Sequence, residues 1–445
     1  MKATQFSIKS FTAIKMEEAD HNICLLAKMG LAHQVCSGIH CFLPMGLRII
    51  HRISYLIRHH MNSIGSLEVK LPILQPFNLW QRSGRALKFG AELLSLMDRT
   101  QTKYILAPTS EELVVTILGQ YAFSYNQLPI FLYQIQPKFR DEIRPRSGTI
   151  RSKEFVMKDS YSFDKTERCG IYSYQLMSKT YKMIFSGLSL KFRKSPADSG
   201  QMGGGTSHEF LAFTPINTGQ ALSPLIRPAL PFKTKREESV WFDAGWVSTT
   251  KQQDYKMPLT TIRGLMPNSM GLGNRNLSET EVGHIFQLGR YYSSELGASF
   301  KGKDGNDVPM VLGCYGIGVS RILSVILNQK GNDEEAMMCW PPVISPFALV
   351  LIYHPVRCFQ AQIRSLTNKL YSALKLVGDV ILENRHNHIS IATEEWDFIG
   401  VTNQMVVGVC SIKNKLLVLQ NKRRGGLCAV PILSILEGLI FCPER

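Results

Sequence analysis

Residues 134–163 read QIQPKFRDEIRPRSGTIRSKEFVMKDSYSF, two extended apolar segments around a turn-rich, charged centre of Arg144, Pro145, Arg146, Ser147 and Gly148. That pattern predicts a long β-hairpin, and a hairpin commits this part of the chain to an antiparallel sheet. Six basic and two acidic residues fall between Lys138 and Lys153, a local charge of +4. A solvated loop carries such charge easily, but it leaves unexplained why apolar strands bracket it so closely. The chain as a whole is also basic, with 51 Lys and Arg against 35 Asp and Glu and a formal net charge of +16. An excess of that size favours a polyanionic partner, with nucleic acid ahead of an anionic membrane surface.

The flanking sequence builds out the architecture. Gly46 to Gly65 places Leu47, Ile50, Ile53, Ile57 and Met61 at helical spacing, with His51, Arg52, Arg58, His59 and His60 on the other face. Leu67 to Leu74 alternates like a strand that Pro72 confines to an edge or a bend. The 72 residues from Leu211 to Val282 are rich in Pro, Gly, Ser and Thr and read as an insertion outside the main core. Glu281 to Tyr292 returns to strand-like alternation, and Pro309 to Leu327 reads as strand, glycine turn and helix. After a break at Trp340-Pro341-Pro342, apolar strands alternate with a helical pattern around Gln362 to Leu376, which describes a separate α/β domain.

Other classes are excluded by composition. A hydrophobic content of 44% with 19% charged residues rules out a disordered or fibrous chain. No apolar run approaches the ~18 residues of a membrane span, and the first residues lack the apolar core of a secretory signal. The ten cysteines include no CxxC pair and match no zinc pattern. No protein metal site is expected from them, and a cytoplasmic location is the default.

The chemistry-bearing residues form a set. Arg140 and Glu142 sit on one side of the hairpin, Arg151 and Phe155 on the other, and Arg321 opens a helix after Gly316 and Gly318. Three guanidinium forks match the oxygens of a triphosphate and never deprotonate. Phe155 suits stacking on a purine, and Glu142 suits accepting from its exocyclic amine.

This ordered set resembles the bacterial-type prolyl-tRNA synthetases, a family of class II aminoacyl-tRNA synthetases. LPMGLRII followed by VKLPIL resembles the first class motif, FRDEIRPRSGTIRSKEF the second and GCYGIGVSRIL the third. APTSEE at Ala107 to Glu112, MKDSYSF at Met157 to Phe163, SHEF at Ser207 to Phe210 and GHIFQLG at Gly283 to Gly289 resemble the prolyl branch in particular.

The resemblance implies an α+β fold: a class II catalytic domain on an antiparallel sheet flanked by helices, at residues 1–343, and a C-terminal α/β anticodon-binding domain at 344–445. It implies ATP and Mg²⁺ as cofactors, L-proline and tRNA(Pro) as partners, and a homodimer built on the first motif. Arg140 is expected to bridge the proline carboxylate and the ATP α-phosphate. Arg151 and Arg321 belong on the outer phosphates, Glu142 and Phe155 on the adenine, with Gln287, Gly316 and Gly318 completing the ATP site. Thr109 and Glu111 are expected to hold the proline ammonium, while His284, Phe286 and Cys314 wall the ring and Glu281 lies close by. His208 reads equally as a pocket member or as a structural residue that caps a strand.

Three departures from the family pattern carry expectations of their own. Relatives place an editing domain of usually ~180 residues between the second and third motifs, where this chain has residues 211–282. A proline pocket excludes alanine poorly, since missing methylenes are worth only ~1–3 kcal/mol. In the C-terminal domain Glu383 and Arg385 keep chemistry suited to guanine edges, but the neighbouring glycine and lysine positions are lost, which suggests relaxed anticodon selectivity. Ser110 and Ser147 replace bulkier family residues and read as peripheral. The competing readings are a threonyl or glycyl enzyme of the same class and a non-catalytic synthetase-like tRNA-binding or accessory protein. The latter would be expected to lose the phosphate arginines. From Ser345 onward the chain has 11 basic and 7 acidic residues, so most of the excess charge sits in the catalytic part.

Overall fold

The computed structural model describes residues 1–6, 21–121, 123–145, 147–215, 277–330, 338–385, 388–421 and 426–436. The described residues within 1–215 and 278–445 form one compact unit. The insertion read from the sequence at 211–282 is described only at its ends, which are strands of the main sheet; residues 216–276 lie outside the described residues.

Helix α1 (Pro44–Ser63) starts on a proline at its first turn, where the missing N–H costs nothing. Ile49, Ile50, Ile53, Ile57 and Met61 form its buried face. Leu47, expected on that face, is instead 43% exposed, because Ile49 takes the inward position at the start of the stripe. Gly46 is needed here: a Cβ at this position would lie 2.0 Å from the Leu31 carbonyl oxygen. The strand expected after α1 shrinks to β1 (Leu67–Glu68), an edge strand parallel to its neighbour, in keeping with Pro72 just beyond.

The hairpin forms as the pattern requires. Between helix α2 (Glu111–Leu118) and helix α3 (Glu167–Gly187), β2 (Ile130–Phe139) and β3 (Glu154–Asp164) pair antiparallel, Ile130 opposite Phe163 and Phe139 opposite Glu154. Four more strands complete a seven-stranded sheet: β4 (Phe192–Pro196), β5 (Thr206–Pro215), β6 (Leu277–Gly289) and β7 (Val311–Gly318), in the order β4-β5-β6-β7-β3-β2-β1. The registered pairs β4–β5, β6–β7, β7–β3 and β3–β2 are antiparallel. Helix α4 (Val319–Lys330) follows β7 directly. The glycine turn expected at this point is therefore absent: Gly313, Gly316 and Gly318 all lie within the strand.

The period of two along a strand decides what faces where. On β2, Gln134, Gln136 and Lys138 stand opposite Asp159, Met157 and Phe155 of β3. Asp159 and Met157 in turn align with Gly316 and Gly318 of β7, and Tyr161 with Cys314. Cys314 and Gly316 stand opposite Phe286 and His284 of β6. The alternate residues Tyr315 and Ile317 pack on the other side with Tyr174, Tyr181 and Phe185 of α3.

The C-terminal part contains β8 (Leu349–Tyr353), α5 (Gln360–Val377), β9 (Val380–Glu383), α6 (Ile389–Ile399), β10 (Asn403–Val407), β11 (Leu416–Asn421) and β12 (Gly426–Pro431). Its sheet runs β9-β8-β10-β11-β12, with β8 parallel to both neighbours and the last two pairings antiparallel. Trp340, at the composition break, is fully buried and donates from Nε1 to the Ile399 carbonyl at 2.6 Å. Arg48 of α1 ion-pairs with Asp379 at 2.6 Å and donates to the Pro346 carbonyl at 2.8 Å. Among the described residues no helix is long and apolar enough to cross a membrane.

Candidate active site

One cleft opens over the face of the sheet that carries Phe155, Met157, Gly316 and Gly318. Arg140, Glu142, Arg151, Phe155, Glu281, His284, Gly316, Gly318 and Arg321, nine of the residues singled out in the sequence, all line it. The Arg140 guanidinium carbon lies 5.4 Å from the Phe155 ring centre, and Arg140 Nε is buried without a hydrogen-bond partner. Burial pushes the Arg140 guanidinium pKa down, Glu281 opposes that and Arg321 adds to it. A buried donor left unbonded is costly, so Arg140 is a cation waiting for an anion. Arg321 is held differently: Nε donates to the Ile150 carbonyl at 2.8 Å and Nη1 to the Glu281 carbonyl at 2.7 Å. Arg151 Nε donates to Glu142 Oε2 at 2.7 Å, so the carboxylate expected to meet adenine is engaged with arginine in this state. Gly316 lies directly under the Met157 side chain, and a Cβ there would meet Met157 Cε at 2.4 Å.

His284 joins the cleft to what lies beneath it. Its ring stacks on Phe286 at 3.8 Å, Nε2 is 3.0 Å from Ser207 Oγ, and Nδ1 is 3.3 Å from Glu281. Desolvation would raise the Glu281 carboxyl pKa, but the hydrogen bond to His284 and the charges of Arg321 and Arg140 hold it at about 2. Glu209, Glu281 and His284 each bring one ligand atom within 4.8 Å of the others.

The residues expected around proline form a second, buried group. Thr109 Oγ1 donates to both oxygens of Glu111, at 2.7 and 2.6 Å, and Cys314 Sγ donates to Glu111 at 2.8 Å. Burial would raise the Glu111 carboxyl, yet Arg85 together with the bonds from Cys314 and Thr109 keeps it below its usual range. Burial pushes the Cys314 thiol up, and the Glu111 charge adds to this.

Two expected members lie elsewhere. Gln287 is not among the cleft-lining residues: its carboxamide lies beside Gly170 of α3, on the opposite face, because it follows Phe286 by one pleat. His208 Nδ1 is 2.6 Å from Tyr174 OH and also stays out of the cleft, which favours its structural role. In the C-terminal part the Glu383 side chain is 1% exposed and accepts from Trp396 Nε1 at 2.9 Å, with Arg385 paired to it and to Glu395. The Glu383 carboxylate thus faces inward; a pair two residues apart on a strand end gives no sequence sign of that.

Ser110 corrects another expectation. It is fully buried rather than peripheral, and its Oγ accepts from Lys138 Nζ at 2.6 Å and Gln134 Nε2 at 3.1 Å. Lys138, itself solvent-free, lies 3.1 Å from Asp159 Oδ2, and Gln134 also donates to Asp159 at 2.8 Å. Arg85 and Glu112 were missed altogether. Arg85 follows a Ser-Gly pair in the short helix Arg85–Phe89, and the carboxylates it meets lie 26 and 27 positions further along the chain. No local spacing signals such a contact.

An antiparallel sheet whose hairpin and final strand–helix unit aim arginines into one cleft defines a class II aminoacyl-tRNA synthetase core. The family profile of the tRNA synthetase class II core domain (G, H, P, S and T) matches residues 92–330. A proline--tRNA ligase of Burkholderia pseudomallei is 30% identical over 567 residues, covering 97% of each chain, and that of Burkholderia thailandensis is 31% identical at the same coverage. The chain belongs to the proline--tRNA ligase family. Among solved structures, the Giardia lamblia prolyl-tRNA synthetase in complex with prolyl-adenylate matches with a TM-score of 0.71 at 18% identity, over 93% of this chain and 74% of that one. A Cryptosporidium parvum prolyl-tRNA synthetase complexed with L-proline and AMP gives 0.68 at 15% identity, over 94% and 76%. At these identities the two structures speak for the fold.

Proposed function

We propose that this chain activates L-proline with ATP to prolyl-adenylate and transfers the prolyl group to the 3′ end of tRNA(Pro). The observation that carries this reading is the adjacency of the arginine-lined cleft to the buried Thr109–Glu111–Cys314 group, bridged by the His284–Phe286 stack. In the first step the proline carboxylate attacks the α-phosphate and pyrophosphate leaves. In the second a ribose hydroxyl attacks the adenylate carbonyl and AMP leaves. The first step brings two anions together, and Arg140 is the group placed to offset that charge. Arg151 and Arg321 take the outer phosphates, with Phe155 and Glu142 on the adenine. Glu281 and Glu209 are hard oxygen donors suited to Mg²⁺, with His284 orienting Glu281, and the ion would share the phosphate charge. Thr109 and Glu111 hold the substrate ammonium.

The test is ATP–pyrophosphate exchange by the full chain with single amino acids. Exchange that depends on proline is expected; none with proline, or stronger exchange with threonine or glycine, would overturn the reading. The same assay separates an enzyme from a non-catalytic accessory protein, against which the retained Arg140, Arg151 and Arg321 already count.

The enzyme is of the bacterial type without the large editing insertion. Supporting this, the matched Burkholderia pseudomallei alignment extends over 567 residues, at least 122 more than this chain possesses. Alanyl-tRNA should therefore persist in the presence of this protein alone; robust deacylation of alanyl-tRNA by the full chain would contradict the proposal. Residues 1–343 serve as catalytic domain and 344–445 as anticodon-binding domain, the latter having its own apolar cluster. Of the anticodon pair Glu383 and Arg385, Arg385 is the one offered to a base, with the buried Glu383 holding it in place, and selectivity is relaxed. A homodimer through α1 and β1 fits the exposure of Leu47, Tyr55 and Leu67. Cys36, Cys41, Cys358, Cys410 and Cys428 are exposed free thiols, which suits the cytoplasm.

A further inference from the structure

Arg85, Glu111 and Glu112 meet in a space closed to solvent, with side-chain exposures of 1%, 0% and 0%. One guanidinium nitrogen, Nη1, lies 2.8 Å from Glu111 and 3.0 Å from Glu112. The rings of Trp80, Phe89 and Tyr292 lie 5.0, 5.0 and 5.5 Å from the guanidinium carbon, and Met202 Sδ accepts from Nη2. Arg85 is therefore fixed on every side by packing as well as by charge.

Fully ionised, the three side chains carry one net negative charge. Such a charge, sealed away from water, is costly unless a cation joins it. The hydrogen bonds point the same way. Glu111 accepts from Arg85, Thr109 and Cys314. The single Thr109 hydroxyl proton is shared between both Glu111 oxygens, at 2.7 and 2.6 Å, and can serve only one of them at a time, so a substrate ammonium joins by taking the other. Glu112 accepts from Ser83 and Arg85 and makes no contact with the residues expected around the substrate ring.

We propose that Arg85 and Glu112 are positioning residues for the amino-acid substrate: Arg85 locks the Glu111 carboxylate in place, and Glu112 supplies the extra negative charge that the substrate ammonium balances. This rests on the reading of Glu111 as the ammonium acceptor. The site then favours a cationic amine over a neutral isostere before any contact with the ring is made. Removing Arg85 leaves two carboxylates side by side in a buried space, which cannot both stay ionised. Glu111 is then no longer reliably a carboxylate. Burial pushes the Glu112 carboxyl up, Arg85 opposes this and Glu111 reinforces it. Ammonium binding favours the ionised form of Glu112, so the KM for proline falls as pH rises through the Glu112 titration.

The experiment is proline-dependent pyrophosphate exchange by the full chain as a function of pH, for the unaltered protein, Arg85→Met, Arg85→Lys and Glu112→Gln. Glu112→Gln is expected to raise the KM for proline about tenfold, to leave the KM for ATP within about twofold, and to flatten the pH dependence of the former. Arg85→Met is expected to raise the KM for proline about 30-fold, with Arg85→Lys recovering part of the loss. If Arg85→Met fails to fold, the isosteric Glu112→Gln decides. A Glu112→Gln enzyme with native KM for proline and a native pH profile overturns the proposal, as do equal rises in both KM values. Absence of exchange by the unaltered protein would instead overturn the functional reading on which the proposal stands.

Discussion

Arg140→Ala should lower kcat/KM for proline-dependent pyrophosphate exchange by about 10²–10³, the loss typical when one preorganised charge-stabilising donor is removed. Three facts set the size of this effect. Arg140 lies at the end of the hairpin strand, 5.4 Å from the Phe155 ring, so its direction is fixed. Its Nε is buried and unbonded, so substrate does not have to displace an internal partner. Arg321, by contrast, is bonded to the Ile150 and Glu281 carbonyls, and Arg151 to Glu142. These two anchored arginines should behave differently: their loss would raise the KM for ATP more than it lowers kcat. Steady-state exchange kinetics on Arg140→Ala give the answer, and a kcat/KM within about threefold of native would refute Arg140 as the bridging cation.

Lys138→Met should destabilise the protein by about 3–5 kcal/mol, the cost of breaking a buried ion pair from one side. Lys138 and Asp159 are 0% and 1% exposed and lie 3.1 Å apart. Removing the ammonium leaves a buried Asp159 carboxylate, with Gln134 and Tyr161 as its remaining donors. Ser110 Oγ loses its shortest partner as well. The double variant Lys138→Met/Asp159→Asn should recover most of the loss, since the uncompensated charge goes with the second change. Urea unfolding measures both. A single variant within about 1 kcal/mol of native would show that the pair contributes little.

Much of this arrangement was legible in the sequence because it obeys simple periods. The hairpin around residues 144–148 and the apolar stripe of α1 follow from spacings of two and 3.6, and both formed where expected. The strands at Leu349–Tyr353 and Leu416–Asn421 likewise announced themselves as short apolar runs. The cleft arginines were legible through motif order. The errors share a physical origin. Glycines at 313, 316 and 318 look like a turn in one dimension; in three they are strand residues that leave room for the side chains of Met157 and Tyr315. Ser110 and Arg85 gain their roles from contacts with strands and helices distant in sequence, which no local pattern encodes. Gln287 was misplaced by a single pleat, the smallest error a strand permits and one that exchanges the two faces.

The unbroken passage from β7 into α4 has a mechanical consequence. Gly316, Gly318 and Arg321 lie on one almost wholly buried strand–helix unit, with no loop between the floor and the cation above it. Thr149 braces the same unit from the hairpin side through bonds of 2.8 and 2.6 Å to Ser320 and Ser324. The cleft thus has its two walls tied together at the base, while Ile143 and Arg144 stand exposed at the hairpin tip.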